Sequence, residues 1–253
     1  MAKRIVIIQG HPDAAPERYC RALASAYERG ARAVGHEVRR IDVAGLRFDL
    51  LRSQAEWESG APAPDILMAQ DEIAWAEHIL IIYPLWLGTM PALLKGFLEQ
   101  AMRPGFALPD MTAGKGWPKG RLAGRSARIV VTMGMPAFFY RWYFRAHSLK
   151  SLERNILKFV GIKPIRETLI GLVAAKDEAK RKTWLEDGGA RAGGELREER
   201  RPARLVRFFV DAGPARLLRC TSASARCGSY AACVLRRRRF ASLPPRPVCY
   251  LTI

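Results

Sequence analysis

Tyr83-Pro84-Leu85-Trp86-Leu87-Gly88-Thr89-Met90-Pro91-Ala92-Leu93-Leu94-Lys95 decides how this chain is read. It follows Ile79-Leu80-Ile81-Ile82, an apolar, largely β-branched run with the length of a buried parallel strand. Pro84 halts that strand. A helix begins near Pro91, because the first helical N–H groups have no partner and a proline there loses nothing. The loop between carries Trp86 at the carboxyl end of a strand, where open α/β sheets bind ligands. An aromatic side chain there can cover a flat ring, and the amides of Leu87 and Gly88 can donate to it. The competing reading is an ordinary strand–loop–helix with Trp86 packed into the core.

Two further segments have the same form. Lys3-Arg4-Ile5-Val6-Ile7-Ile8-Gln9-Gly10-His11-Pro12 is a strand leaving into a loop, and Arg128-Ile129-Val130-Val131-Thr132-Met133-Gly134-Met135-Pro136 is another. Around them strand and helix alternate. The pattern predicts a first strand over Arg4–Gln9, a helix over Pro16–Val34 and a second strand over His36–Val43. Ala44–Pro64 reads as a long irregular connection with Trp57 as an anchor. A helix over Ile66–Ala76 leads to strand three at Ile79–Tyr83 and a helix at Ala92–Met102. Arg103–Ser126, rich in Gly, Pro and Lys, reads as a mobile excursion. Arg128–Met133 is strand four, Leu149–Val160 helical, Thr168–Leu172 strand five and Lys176–Leu185 a closing helix. Five strands with intervening helices make a doubly wound α/β domain with a parallel sheet.

Composition sets the outer bounds. The chain has 253 residues, 49% of them hydrophobic, enough to bury a full core in one domain. No stretch approaches the roughly 18 unbroken apolar residues of a membrane span, and no secretory leader is legible. A cytoplasmic protein is the expectation. The net charge of +18 would suggest nucleic acid if it were spread evenly. Instead, residues 188–253 hold 14 Arg and only 4 acidic residues, over half of the excess. Cys220, Cys227, Cys233 and Cys249 also fall there, at spacings that match no zinc site. From Gly188 no helical or strand period continues and Lys disappears, so the expected domains are a folded body, 1–187, and an irregular Arg/Cys-rich tail, 188–253. That tail reads as a GC-rich coding sequence translated out of frame; a basic arm touching nucleic acid or an anionic surface is the weaker account.

The GHP, YPLW and TMGMPA loops, in that order and spacing, resemble those of the flavodoxin-like NAD(P)H:quinone oxidoreductases, over residues 1 to about 186. That resemblance implies strand order 2-1-3-4-5 and a flavin, FMN or FAD, reduced by NAD(P)H. It also implies a quinone-like acceptor of two electrons, and a homodimer. It places His11, Arg18, Tyr19 and Cys20 around the flavin phosphate, at a loop entering a helix whose start attracts anions. Many relatives carry a small hydroxyl residue where Arg18 stands. Pro84, Leu85, Trp86, Leu87 and Gly88 would lie along the ring system, and Thr132, Met133 and Gly134 at its pyrimidine side. Tyr140 matches a tyrosine near the flavin, and His147 falls one position from the family's active-site histidine. A Tyr–His donor pair there could balance charge on the reduced ring. Alternatives are a flavodoxin-type electron carrier and a regulatory flavoprotein of a potassium efflux system. The chain contains no HExxH, paired CxxC or GxSxG nucleophile site, and the first loop is neither GxGxxG nor a P-loop.

Overall fold

The computed structural model describes residues 2–109, 120–173 and 181–186. The chain divides into units Met1–Leu205 and Val206–Ile253, and every described residue belongs to the first. The tail expected from 188 onward therefore lies outside the described residues.

Five strands, β1 Arg4–Gln9, β2 Glu37–Asp42, β3 His78–Pro84, β4 Ser126–Thr132 and β5 Ile165–Ile170, form one sheet. Its order is β2-β1-β3-β4-β5 and every pairing is parallel, as expected. The helices are α1 Tyr19–Ala33, α2 Gln54–Ser59, α3 Pro64–Trp75, α4 Ala92–Ala101, α5 Ala137–Trp142 and α6 His147–Ser151. A π-type turn, Leu152–Leu157, continues α6, with Lys158 N–H reaching back five residues to the Glu153 carbonyl at 2.9 Å.

Alternation along the strands sorts side chains onto two buried faces. Ile5 and Ile7 of β1, Ile82 of β3 and Val130 of β4 pack with Leu23 and Tyr27 of α1. Val6, Ile8, Ile81, Tyr83, Ile129 and Val131 pack the other way, with Ile66 and Ile73 of α3 and Leu94 and Phe97 of α4. Strands covered on both faces need apolar residues at every position, which is why β1, β3 and β4 were so plain in the sequence.

The differences from expectation have local causes. The helix expected from Pro16 starts at Tyr19, because Arg18 is extended (φ −64°, ψ 130°) and caps it. The connection 44–64 is not wholly irregular: Ser53 Oγ accepts the Glu56 N–H and starts the short α2, none of whose residues is buried. Strand five runs Ile165–Ile170, not Thr168–Leu172, since Leu172 adopts φ +59° and cannot be strand. The aromatic stretch after Pro136 folds into α5, and α6 begins after Arg145 and Ala146, both left-handed at φ near +50°. The described ends of the expected excursion 103–126 are anchored, not mobile: Ala107, Leu108 and Leu122 are core residues, and Leu122 N–H donates to the Val160 carbonyl. Of the expected closing helix, residues 181–186 are helical and 176–180 lie outside the described residues.

Candidate functional site

In this strand order the chain reverses direction of travel between β1 and β3, the switch point at which open sheets leave a crevice. Three loops leave the strands there, and the sheet's hydrogen bonding extends into them. Gly10 N–H donates to the Ile82 carbonyl at 2.8 Å, Leu85 to Thr132 at 2.8 Å, and Met133 to Ile170 at 2.9 Å. The GHP, YPLW and TMGMPA segments are thereby held side by side.

The first loop is organised by side chains. His11 Nδ1 accepts the Asp13 N–H at 3.0 Å, which assigns the single proton of a neutral imidazole to Nε2. Burial holds the His11 pKa below its ordinary value, so that neutral form persists near pH 7. Asp13 Oδ1 accepts the Ala15 N–H at 2.8 Å, and Oδ2 takes Arg18 Nε at 2.6 Å. Arg21 forks onto Asp42 at the end of β2, at 2.8 and 3.0 Å. Neither Asp13 nor Arg21 is among the sequence candidates: nothing in the D-x₄-R spacing of Asp13 and Arg18 distinguishes a loop-shaping ion pair from surface charge, and Arg21 meets Asp42 only in the fold.

The second loop is a tight hairpin. Trp86 and Thr89 exchange two backbone hydrogen bonds at 2.9 Å each, and Leu87 and Gly88 turn with φ of 46° and 79°. Trp86 is 41% exposed and its ring meets His11 edge-on at 5.9 Å, joining the first two loops. Leu87 points to solvent, while Pro84 and Leu85 are partly buried beneath. Trp86 therefore is not the core residue of the competing reading.

In the third loop, Met133 is a core residue, and its backbone is engaged with Ile170 and Val173, so it offers no free group to a ligand. The Thr132 hydroxyl faces the α1 side of the sheet and meets Cys20 Sγ at 3.2 Å; it is not the ring contact expected of it. Burial pushes the Cys20 thiol up to about 11. Cys20 is thus inert, and peptide mapping after iodoacetamide treatment of the native protein at pH 8 should find it unlabelled, while the unfolded chain reacts. Tyr19 is half-buried and donates its hydroxyl to the Arg181 carbonyl at 3.3 Å, its pKa pushed up to about 12 by burial.

Tyr140 is buried in α5. Its hydroxyl meets Ser148 Oγ at 2.7 Å and accepts the Leu149 N–H at 3.3 Å. His147 is exposed at the start of α6. The expected Tyr–His pair is thus a Tyr–Ser pair, because the left-handed residues 145 and 146 swing Ser148 under the phenol.

The three loops fit a flavin. A Cβ placed on Gly88 or on Gly134 would have no atom within 4 Å, so both loops leave open room, whereas one on Gly10 would strike Leu94 Cδ2 at 2.6 Å. Gln9, the last residue of β1, is buried with both carboxamide atoms unpartnered. A second cleft of about 330 Å³, bordered by Glu58, Gln70, Arg103 and Phe106, lies at the other end of α4. Arg103 is spent there on the Trp57, Glu56 and Gly60 carbonyls, so this cleft offers no comparable chemistry. Among the described residues no group of His, Cys, Asp and Glu could hold a metal ion, and no helix is long and apolar enough to cross a membrane.

A family model described as a flavodoxin-like fold matches residues 3–188. An uncharacterised NAD(P)H oxidoreductase of Haemophilus influenzae is 28% identical, over 72% of this chain and 90% of its own length. Among solved structures, NAD(P)H:quinone oxidoreductase from Methanothermobacter marburgensis superposes with a TM-score of 0.65 at 23% identity, covering 77% of this chain and all of that one. An FMN-dependent NADH-azoreductase of Bacillus anthracis, in complex with FMN, gives 0.60 at 15% identity, over 78% and 99% of the two chains. At these identities the two structures share its fold.

Proposed function

The chain belongs to the flavodoxin-like fold family, and on that premise we propose that it is a flavin-dependent NAD(P)H oxidoreductase delivering two electrons to a quinone-like acceptor. The observation that carries the reading is the set of three loops stitched together at the switch point, with open space over Gly88 and Gly134. The oxidoreductase relative supports the reaction class. When bound, a flavin, FMN or FAD, would supply the two-electron redox chemistry between NAD(P)H and the acceptor.

The protein's own part is position and electrostatics. His11 Nε2–H and the Arg18 guanidinium are donors for a phosphate at the start of α1. Trp86 would wall the ring, braced edge-on by His11. The Gly134 segment would bring backbone against the ring edge. Tyr140, in the helix that follows the third loop, would be the side-chain donor to the reduced ring. A homodimer is part of the same proposal, supported by the face of α5 and the residues after it, where Phe138, Trp142 and Tyr143 stand mainly in solvent.

Purified protein should be yellow, should bleach when NADPH or NADH is added without oxygen, and should regain colour on adding a quinone. Mass analysis of the released pigment identifies FMN or FAD. A colourless protein that takes up neither flavin overturns the assignment. We propose further that residues 1–187 are the functional unit. The last strand among the described residues ends at Ile170, so a chain truncated after Asp187 should bind flavin and reduce quinone at the full-length rate. Loss of flavin on truncation, with the full chain sound, would show the remaining residues to be structural.

A further inference from the structure

The first loop already contains an anion, and it belongs to the protein. Asp13 lies three residues past Gly10, and its carboxylate engages two donors of this loop: the Ala15 N–H through Oδ1, and through Oδ2 the Arg18 guanidinium assigned above to the phosphate. Arg18 is the cap residue of the 15-residue helix α1, so the guanidinium that Asp13 holds is rooted at the end of the helix that draws anions. The side chain of Arg18 has no second carboxylate in its described contacts, and Arg21, the next cation along, is committed to Asp42. The end of β1 that leads into this loop carries a separate feature. Gln9 continues the row of Ile5 and Ile7 onto the face that α1 covers, and its buried carboxamide keeps an unsatisfied donor and acceptor. Such a group costs stability unless a ligand or a bound water meets it.

We propose that Asp13 holds the phosphate position of the first loop in competition with the flavin, and thereby sets how tightly the protein takes up a phosphorylated flavin and how strongly it prefers one over riboflavin. The inference rests on the flavin reading above. Binding FMN would require Arg18 to exchange its carboxylate for the phosphate while Asp13, still charged, remains a few atoms away. In the loop as it stands the Ala15 N–H, and then Arg18, hold the Asp13 carboxyl below the ordinary range. Riboflavin, lacking the phosphate, makes no such demand. Asp13 is therefore a specificity residue acting against the charged ligand, separate from its second property of shaping the turn.

Those two properties can be separated. Asn keeps the Oδ1 acceptor that closes the turn on Ala15, but loses the charge. In full-length protein freed of flavin, Asp13→Asn should bind FMN about threefold to tenfold more tightly, the scale of one exposed charge contact, with riboflavin affinity unchanged. Arg18→Gln should weaken FMN alone, and in the double variant the gain from Asp13→Asn should vanish, since the freed guanidinium is what produces it. Asp13→Ser, which also supports the turn, gives the same reading if the Asn variant folds poorly. Equal weakening of FMN and riboflavin by Asp13→Asn would make Asp13 a loop former only and overturn the proposal, as would no change in either. Wild-type protein that binds neither flavin defeats the flavin reading itself, and this inference with it.

Discussion

Gly171→Ala is expected to lower stability by about 3 kcal/mol and to weaken flavin binding by at least about tenfold. Gly171 follows β5 and lies flat against the third loop. A Cβ on it would stand 2.4 Å from the Ala137 nitrogen, 2.7 Å from the Met135 carbonyl oxygen and 3.1 Å from the Pro136 carbonyl carbon. All three are backbone atoms, so no rotamer change relieves the contact. Forced overpacking costs about 1–3 kcal/mol. The loop must then move from the two bonds it accepts, Leu172 N–H to Met135 at 3.1 Å and Val173 N–H to Met133 at 3.2 Å, worth about 1 kcal/mol each. For a body of this size, 3 kcal/mol corresponds to a fall in Tm of roughly 6–12 °C. The loop that moves is the one meant to meet the ring edge, and a displacement on the order of 1 Å there is costly to function. Gly45→Ala is the control: a Cβ there meets nothing within 4 Å and should change stability by less than about 0.5 kcal/mol. Thermal melts and flavin titration of the two variants check this, and equal melting temperatures would mean that the loop yields without cost.

What was legible in the sequence is what burial on both faces imposes. Ile5 to Ile8 and Ile79 to Ile82 could only be central strands, and Pro84 and Pro91 bounded the second loop to within a residue. Order and loop identity followed from the resemblance of three segments, and the sheet order agrees with it. The edge of the sheet was harder to read. Ile165-Arg166-Glu167-Thr168 carries polar residues because an edge strand is half-exposed, and it was passed over in favour of the more apolar residues that follow. The helix α2 has no buried residue, so it had no apolar period to detect; its signal was the Ser53-x-x-Glu56 cap alone. Within the site, the sequence could say which side chains lie near one another along the chain but not which way they turn. Thr132 and Cys20, assigned separately to a ligand, instead meet each other across the α1 face, 112 positions apart. The choice of Ser148 over His147 beneath Tyr140 hangs on two consecutive left-handed residues, Arg145 and Ala146, neither of which is glycine. No side-chain propensity announces such a reversal.

Tyr140→Phe should separate the two tasks that this reversal gives one hydroxyl. The phenol has one proton and two lone pairs. Leu149 N–H donates into it at 3.3 Å, and Ser148 Oγ lies 2.7 Å away. If Ser148 donates as well, both lone pairs are used and the phenolic proton is left to point toward a ligand. Replacing the phenol by Phe strands a buried N–H and should cost about 1–2 kcal/mol of stability. It should also slow anaerobic bleaching of the bound flavin by NADPH, because one donor aimed at developing charge is worth up to about 10²–10³ in rate in the strongest cases. Ser148→Ala is the discriminating partner. It leaves the phenol and the Leu149 bond in place, so it should lower Tm slightly and leave the bleaching rate within a few-fold of wild type. Flavin affinity should hold in both variants, since neither side chain touches the first loop. The stopped-flow rate decides the assignment. A Phe variant that melts earlier yet bleaches as fast as wild type would reduce Tyr140 to a clasp between α5 and α6, and would move the search for the donor to the backbone of the third loop.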